Sequence, residues 1–545
     1  MNQNMQETED KFKSTEDGKC STSDNAMVSS ASGPATMAGV EVLKKGGNAA
    51  DAAVAVAVAL GVSEPQGSGM GGQTMILLSV NNRSIVIDGS SRAPSLAHVS
   101  AIRGEDHSTG YRATTVPSTP AALAYLHREY GKLKWKEVIE PAIRIAEEGF
   151  PVTPLQNKLQ KRELETFNSI PSRSGARYFL KDNQPYEPGE IFKQPELAAM
   201  LKRIAENGVE EFYNGKTAKM IDADMRENGG LLRYDDLVLI PWPQERQPLT
   251  GYFRGLKIDT MPPPGAGKPL LFVLSMLDFV PPQFNYDEEF QKDLLLVHII
   301  RKALLEREGK PYHPLFAPYT DKDMDMFNRE YVKKTMEEIL EKLEIMLLPA
   351  VPTPDEQNQE TTHMSVIDKD GMAVSLTQSV ERVYGSKAAA AGLGFLYNNY
   401  LSDFEYEKPE HPFYLRPNHT PWATVSPTLV YRNDKIWIAV GSPGSERVLS
   451  AITQFLLNIT ELGMSIDQAV EAPRLHCSLG GLISLEAERF PANLPAYFER
   501  KGYRIQRYEP YSFYLGALHA VLKRHDGKGF QGVADLRRDG LAAGI

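Results

Sequence analysis

Apolar residues recur at helical spacing through much of the chain up to residue 360, and alternate with polar ones in short runs through most of the remaining 185 or so positions. The first helical pattern covers 35–45 and, after a Gly46-Gly47 break, 49–60. A glycine-rich turn, Gly67 to Gly72, leads into a predicted strand over 74–80, with 84–87 as its hairpin partner across Asn81-Asn82. Helices are predicted over 120–130, 135–148, 197–206 and 218–227, then from 270 after the break at Pro262-Pro263-Pro264-Gly265, and over 292–308 and 330–347. Beyond 360, strands are predicted over 362–368, 372–379, 393–398, 426–431, 435–441, 516–523 and 532–535, with one helix over 447–462. Strands and helices in both halves point to an α+β arrangement of sheets covered by helix layers, not to two separate domains. Residues 1–27 are polar and read as a disordered tail.

Composition narrows the function classes. The 545 residues are 42% hydrophobic and 24% charged, with a mean hydropathy of −0.35, as expected of a globular protein. A formal net charge of −10 gives no basic footprint, so no nucleic-acid partner is expected. Cys20 and Cys477 are the two cysteines, which fits a reducing compartment. The first 25 residues hold no apolar signal-like core, and the apolar run over 52–62 is too short to span a bilayer. The expectation is a cytoplasmic protein with no membrane partner.

The chemistry concentrates at Thr361-Thr362-His363, between a proline-rich acidic stretch over 349–360 and a strand. Cleavage of the Glu360–Thr361 bond would give Thr361 a free α-amine beside its own hydroxyl, so that nucleophile and base come from one residue. Equally, two threonines can simply open a β-branched strand. The turn signal Asp368-Lys369-Asp370-Gly371 sets the register of the following hairpin and brings residue 361 opposite about 378–380. That puts Ser379 where its hydroxyl could orient the threonine oxygen, or where it is a plain strand-end serine. His363 shares a strand face with Thr361 and could act as a base or as packing.

Two apparent nucleotide motifs fail on context. Gly67-x-Gly69-x-x-Gly72 follows a helix and precedes a strand, the reverse of a dinucleotide site. Gly265-Ala266-Gly267-Lys268 is flanked by Pro262 and Pro269 and has no Ser or Thr for magnesium. With no HExxH, no paired CxxC and scattered histidines, neither a metal nor another cofactor is expected.

The segment from Thr361 to Gly371 resembles the γ-glutamyltransferase family of N-terminal nucleophile hydrolases, which includes cephalosporin acylase-like members. Other segments are similar in the same order: 42–53, 67–72, Met261-Pro262-Pro263-Pro264, Ser426-Pro427-Thr428, Gly441-Ser442-Pro443-Gly444 and Ala472-Pro473-Arg474. The resemblance implies a four-layer αββα sandwich, made as a proenzyme that cuts itself before Thr361 into a large subunit, 28–360 behind the tail, and a small subunit, 361–545. It implies Thr361 as nucleophile, Ser379 as the second hydroxyl, and the backbone amides of Gly444 and Ser445 as oxyanion donors. Its implied substrates are small γ-glutamyl amides such as glutathione, with water or an amine as acceptor.

This chain departs from the family pattern around the acyl group. The usual carboxylate-gripping arginine is replaced by Ser90, with Arg92 two residues on as a stand-in. Glu381 and Tyr400 stand where asparagine and glutamine are usual, Ala423 and Thr424 where paired serines are usual, and 404–425 is short for a full lid. Asp403 matches the carboxylate that pairs with the substrate α-amine. A glutaryl or cephalosporin amidase, and an unprocessed binding protein of the same fold, are the alternatives.

Overall fold

The turn at Asp368-Lys369-Asp370-Gly371 closes a long antiparallel hairpin between Gln359–Asp368 and Ala373–Arg382. The computed structural model describes residue 9 and residues 11–286, 288, 290–309, 328–343, 345 and 359–545. Gly371 takes φ 86, the left-handed turn conformation that costs glycine little. Asp368 accepts hydrogen bonds from the amides of Asp370 and Met372 at 3.0 and 3.1 Å, which fixes the loop.

This hairpin is the middle of a seven-stranded sheet ordered Leu541–Gly544, Ala26–Ser30, Gln359–Asp368, Ala373–Arg382, Gln73–Val80, Arg83–Gly89, Gln244–Arg246. A second seven-stranded sheet runs Cys20–Ser23, Phe530–Ala534, His519–Lys523, Lys435–Gly441, Thr428–Arg432, Leu256–Thr260, Leu249–Phe253. Strand alternation divides the side chains between cores. Met75 and Leu77 meet Leu429, Ala439 and Val521 between the two sheets, while Ile76 and Leu78 face a helix layer. That layer includes Gly33–Lys44, Ala49–Ser63 and Trp135–Glu148. On the far side Ile258, Val430 and Ile438 pack under Gly267–Asp278, Gln291–Gly309 and Arg447–Thr460. Three cores separate four layers, αββα, as the resemblance implies.

Ala49–Ser63 positions the site. Alanine and valine fill it, so it can be buried on nearly every side. Asn48 and Asp51 form a capping box at its start, where Asp368 accepts the Ala49 amide at 2.9 Å. Its far end delivers Glu64 and the glycine turn to the strand carrying Thr361. There a Cβ on Gly72 would lie 2.1 Å from the Ser379 carbonyl oxygen, so close backbone packing explains that glycine.

Several expectations need correction. Residues 393–398 form no strand: Leu396 makes one isolated bridge to Ala389, and Gly392 and Gly394 turn at φ 68 and 72. The polar start of the chain is ordered where it is described. Cys20–Ser23 pairs with Phe530–Ala534, and that backbone ladder supplies the ordering that composition did not suggest. The predicted strand at 516–523 is His519–Lys523, since Gly516 turns at φ 78 after the short helix Phe513–Leu515. The helix predicted to 347 is described as Arg329–Lys342. Residues 344 and 346–358, with most of the acidic stretch, lie outside the described residues, as do 1–8 and 10 of the predicted tail. No helix among the described residues is long and apolar enough to cross a membrane.

Candidate active site

Thr361 lies where the hairpin ladder slips. Glu360 pairs with Glu381 and Thr362 with Gln378, so Thr361 alone faces both Ser379 and Val380. The predicted register therefore holds, and the irregularity frees the Glu360–Thr361 peptide from ordinary ladder pairing. Thr361 is buried, and its Oγ1 accepts a hydrogen bond from the Gly444 amide at 3.1 Å. Gly444 has φ 115, and a Cβ there would come within 3.0 Å of the Gly516 Cα. Ser445 follows, buried, at φ 53.

Ser379 lies beside this peptide. Its hydroxyl donates to the Glu360 carbonyl oxygen at 2.6 Å and accepts from the Glu381 amide at 2.8 Å. The slip sets Ser379 opposite the Glu360–Thr361 peptide, and in the uncut chain its hydroxyl bonds the carbonyl before Thr361. Glu381, buried at φ 84, holds a backbone conformation that a non-glycine residue rarely adopts.

Charge beside this peptide includes Glu360, the predicted cleavage residue, together with Arg538 and Glu64, which sequence reasoning missed. The Glu360 carboxylate pairs with Arg538 at 2.7 Å, and both are buried. The Arg538 guanidinium lies 3.5 Å from the Phe513 ring centroid and donates to the Phe513 carbonyl at 3.1 Å. Burial raises the pKa of Glu360, and Arg538 pulls it back down. Glu64 accepts from the Thr362 hydroxyl, and burial pushes its carboxyl well above the ordinary range. The available signal was the Arg537-Arg538 doublet close to the predicted strand at 532–535.

His363 is not placed for base chemistry. Nδ1 engages Thr377 at 2.9 Å and Nε2 engages Ser365 at 3.1 Å. Burial, followed by the nearby His519, holds its pKa well below 6.5, so it is a neutral packing residue.

Of the remaining candidates, Tyr400 is buried beside Glu381 and Asp403, with its hydroxyl in hydrogen-bonding reach of Ser379 and Gln73. Burial keeps that phenol protonated. Asp403 ends the same short 3-10 turn, Tyr400–Asp403. Arg92 is engaged elsewhere: its Nη2 donates to the carbonyls of Asp236 and Leu239, and its backbone bridges to Val116. Thr424 is half-buried between Ala423 and Val425, which bond to Pro264 and Ala266 at 3.1 and 2.9 Å. The structure thus gathers Thr361, Ser379, Glu381, Tyr400, Asp403 and Gly444, and gives Arg92 and Thr424 no bond to that group among the described residues. No cluster of three or more metal-binding side chains occurs among the described residues.

Comparison with known proteins finds relatives over nearly the whole chain. The profile of the family described as Gamma-glutamyltranspeptidase matches residues 35–545. The chain is 31% identical to the glutathione hydrolase proenzyme of Escherichia coli (strain K12), over 95% of this chain and 91% of that protein. It is 28% identical to the Acylase ACY 1 proenzyme of Pseudomonas sp. (strain V22), over 97% and 95% respectively. Among solved structures, the cephalosporin acylase from Bacillus halodurans superposes with a TM-score of 0.87 at 26% identity, covering 98% of both chains.

Proposed function

We propose, from the premise that this chain is an enzyme belonging to the gamma-glutamyltranspeptidase family, that it cuts its own Glu360–Thr361 bond and then cleaves γ-glutamyl amides, glutathione among them, through an ester on Thr361. One observation carries the reading. The hydroxyl of Thr361 is held by the Gly444 amide while the adjoining Glu360 carbonyl is polarised by Ser379.

In self-cleavage, Thr361 Oγ attacks the Glu360 carbonyl carbon. The C–O ester bond forms, the C–N bond breaks, and the hydroxyl proton passes to the departing Thr361 amine. Water then hydrolyses the ester, leaving the Glu360 carboxylate and a free Thr361 amine. In turnover that amine takes the proton of Oγ as it attacks a substrate amide. The leaving amine departs protonated, and water or an acceptor amine releases the acyl group. Backbone amides at Gly444 and Ser445 supply preorganised donors for the oxyanion. None of these steps calls for a cofactor. Asp403 would read a substrate α-amine, with Glu381 and Tyr400 shaping the pocket around it.

A second reading, an amidase acting on glutaryl-type acyl groups, draws support from the likeness to the cephalosporin acylase from Bacillus halodurans and to the Acylase ACY 1 proenzyme. Hydrolysis of a γ-glutamyl anilide against a glutaryl anilide separates the two. A marked γ-glutamyl preference supports the first, and equal rates refute the role of Asp403. Thr361→Ala should remain a single full-length band on a denaturing gel and be inactive. Processed Thr361→Ala protein would end the assignment.

A further inference from the structure

We propose that Arg538 becomes the carboxylate-binding residue of the acyl pocket once the chain is cut. It would select acyl groups that carry a carboxylate three carbons beyond the carbonyl, the spacing of glutaryl and γ-glutamyl groups. This rests on the self-cleaving amidase reading and names the residue that takes the place of Arg92.

The inference comes from what Glu360 is, chemically, to Thr361. The ester through which self-cleavage passes is itself an acyl-enzyme, with Glu360 supplying the acyl group. Counting from the attacked carbonyl, a glutamyl residue has three carbons and then a carboxylate. In the uncut chain both ends of that unit are held: the carbonyl oxygen by Ser379 at 2.6 Å and the carboxylate by Arg538 at 2.7 Å. A glutaryl group has the same skeleton without the amine. A γ-glutamyl group has it with the amine beside the carboxylate, where Asp403 is proposed to act. Glu360 is thus a built-in copy of the donor, and the distance it spans is the distance the site measures.

Arg538 is preorganised for this role. Phe513 stacks against its guanidinium and Nη1 is fixed by the carbonyls of Phe513 and Arg537 at 3.1 and 3.3 Å. Glu360 takes Nη2, whereas the buried Nε has no hydrogen-bond partner. Nε and Nη2 lie on one edge of the guanidinium, so a carboxylate free of the polypeptide can bind both as a fork. Hydrolysis gives Glu360 a second carboxylate in a buried place with one guanidinium, and desolvation and like-charge repulsion favour its withdrawal. Arg538 is then a buried cation short of acceptors, an expensive state that an incoming carboxylate relieves.

The test uses cleaved wild-type enzyme and the p-nitroanilides of succinic, glutaric, adipic and pentanoic acids. The glutaryl compound should exceed the pentanoyl compound by about 100-fold in kcat/KM, with succinyl and adipyl each about tenfold below glutaryl. Arg538→Lys should lose most of that preference, its glutaryl-to-pentanoyl ratio of kcat/KM falling to within about tenfold. Should Arg538→Lys fail to self-cleave, modification by phenylglyoxal, mapped by mass spectrometry on cleaved wild-type protein, decides. Glutarate should protect Arg538 and pentanoate should not; equal labelling, or no labelling in either, overturns the proposal. Pentanoyl hydrolysis as fast as glutaryl hydrolysis overturns it too, while leaving the amidase reading intact. Absence of any Thr361-dependent hydrolysis removes that reading and this one with it.

Discussion

Replacing Ser379 with alanine isolates the contact that distinguishes this peptide bond from its neighbours. The hydroxyl lies 2.6 Å from the Glu360 oxygen, the atom that would become an oxyanion in the proposed attack by Thr361. Ser379 is 1% exposed and Glu360 is 2% exposed, so water has no ready access to substitute for the lost donor. Removing one preorganised donor of this kind slows acyl transfer by about 10²- to 10³-fold, or roughly 3–4 kcal/mol of barrier. The Glu381 amide would lose its acceptor as well, at roughly 1–3 kcal/mol of stability, which lowers the melting temperature without unfolding a chain of this size. The assay follows the appearance of the 361–545 fragment on denaturing gels, with thermal melting as the control for folding. Ser379→Thr, which retains the hydroxyl, should cleave within a few-fold of wild type. Ser379→Ala cleaving at the wild-type rate would refute the assignment of this bond to the reaction.

Three further outcomes test the scaffold. Gly441→Ala would place a Cβ 2.3 Å from the His363 ring, and overpacking of this sort costs about 1–3 kcal/mol, read as a lower urea midpoint. Asp535→Asn should destabilise by about 3–5 kcal/mol, because Arg474 and Arg537 are buried against that carboxylate at 2.5 and 3.0 Å; a loss under about 1 kcal/mol would contradict the reading. Burial lowers the His519 pKa to about 3, so the unfolded chain binds the extra proton below 6.5 and the folded chain does not. Wild type should therefore lose stability relative to His519→Asn by about 1.4 kcal/mol per pH unit as pH falls from 6.5 to 4, and parallel urea curves would exclude it.

What could be read from the sequence depended on how local the signal was. The hairpin after Thr361 was legible because Asp368 and Gly371 encode its turn and apolar alternation encodes its faces, and together these fix the register. The glycine turn was legible as close packing because its order, helix then strand, excluded a nucleotide loop. The slip between Glu360 and Thr362 was not, since a ladder irregularity depends on both strands and on Gly67 and Gly72 beneath them. For the same reason the register placed Ser379 opposite Thr361 without revealing its bond to the Glu360 carbonyl. Leu249–Phe253 and Arg504–Tyr508 were not predicted, because their exposed polar positions dilute the apolar pattern, and neither were the short buried strands Leu256–Thr260, Leu475–Cys477 and Leu482–Glu486, where buried Asp259, His476 and Ser484 interrupt it. The Glu360–Arg538 pair joins residues 178 positions apart, beyond the reach of any spacing argument.

The interleaving of the two sheets sets what the proposed cleavage would do to the folding problem. In one sheet, four neighbouring strands from beyond Thr361 are bracketed by Cys20–Ser23 on one side and Leu256–Thr260 on the other; in the other, Ala26–Ser30 sits between Leu541–Gly544 and the Thr361 strand. Cut before Thr361 as proposed, neither fragment would keep a complete sheet without its partner. Renaturation would then become a second-order search whose success depends on protein concentration. The intact chain can assemble both sheets in a unimolecular process, whereas a cut chain, once denatured in dilute solution, would have lost the tether that makes its folding efficient.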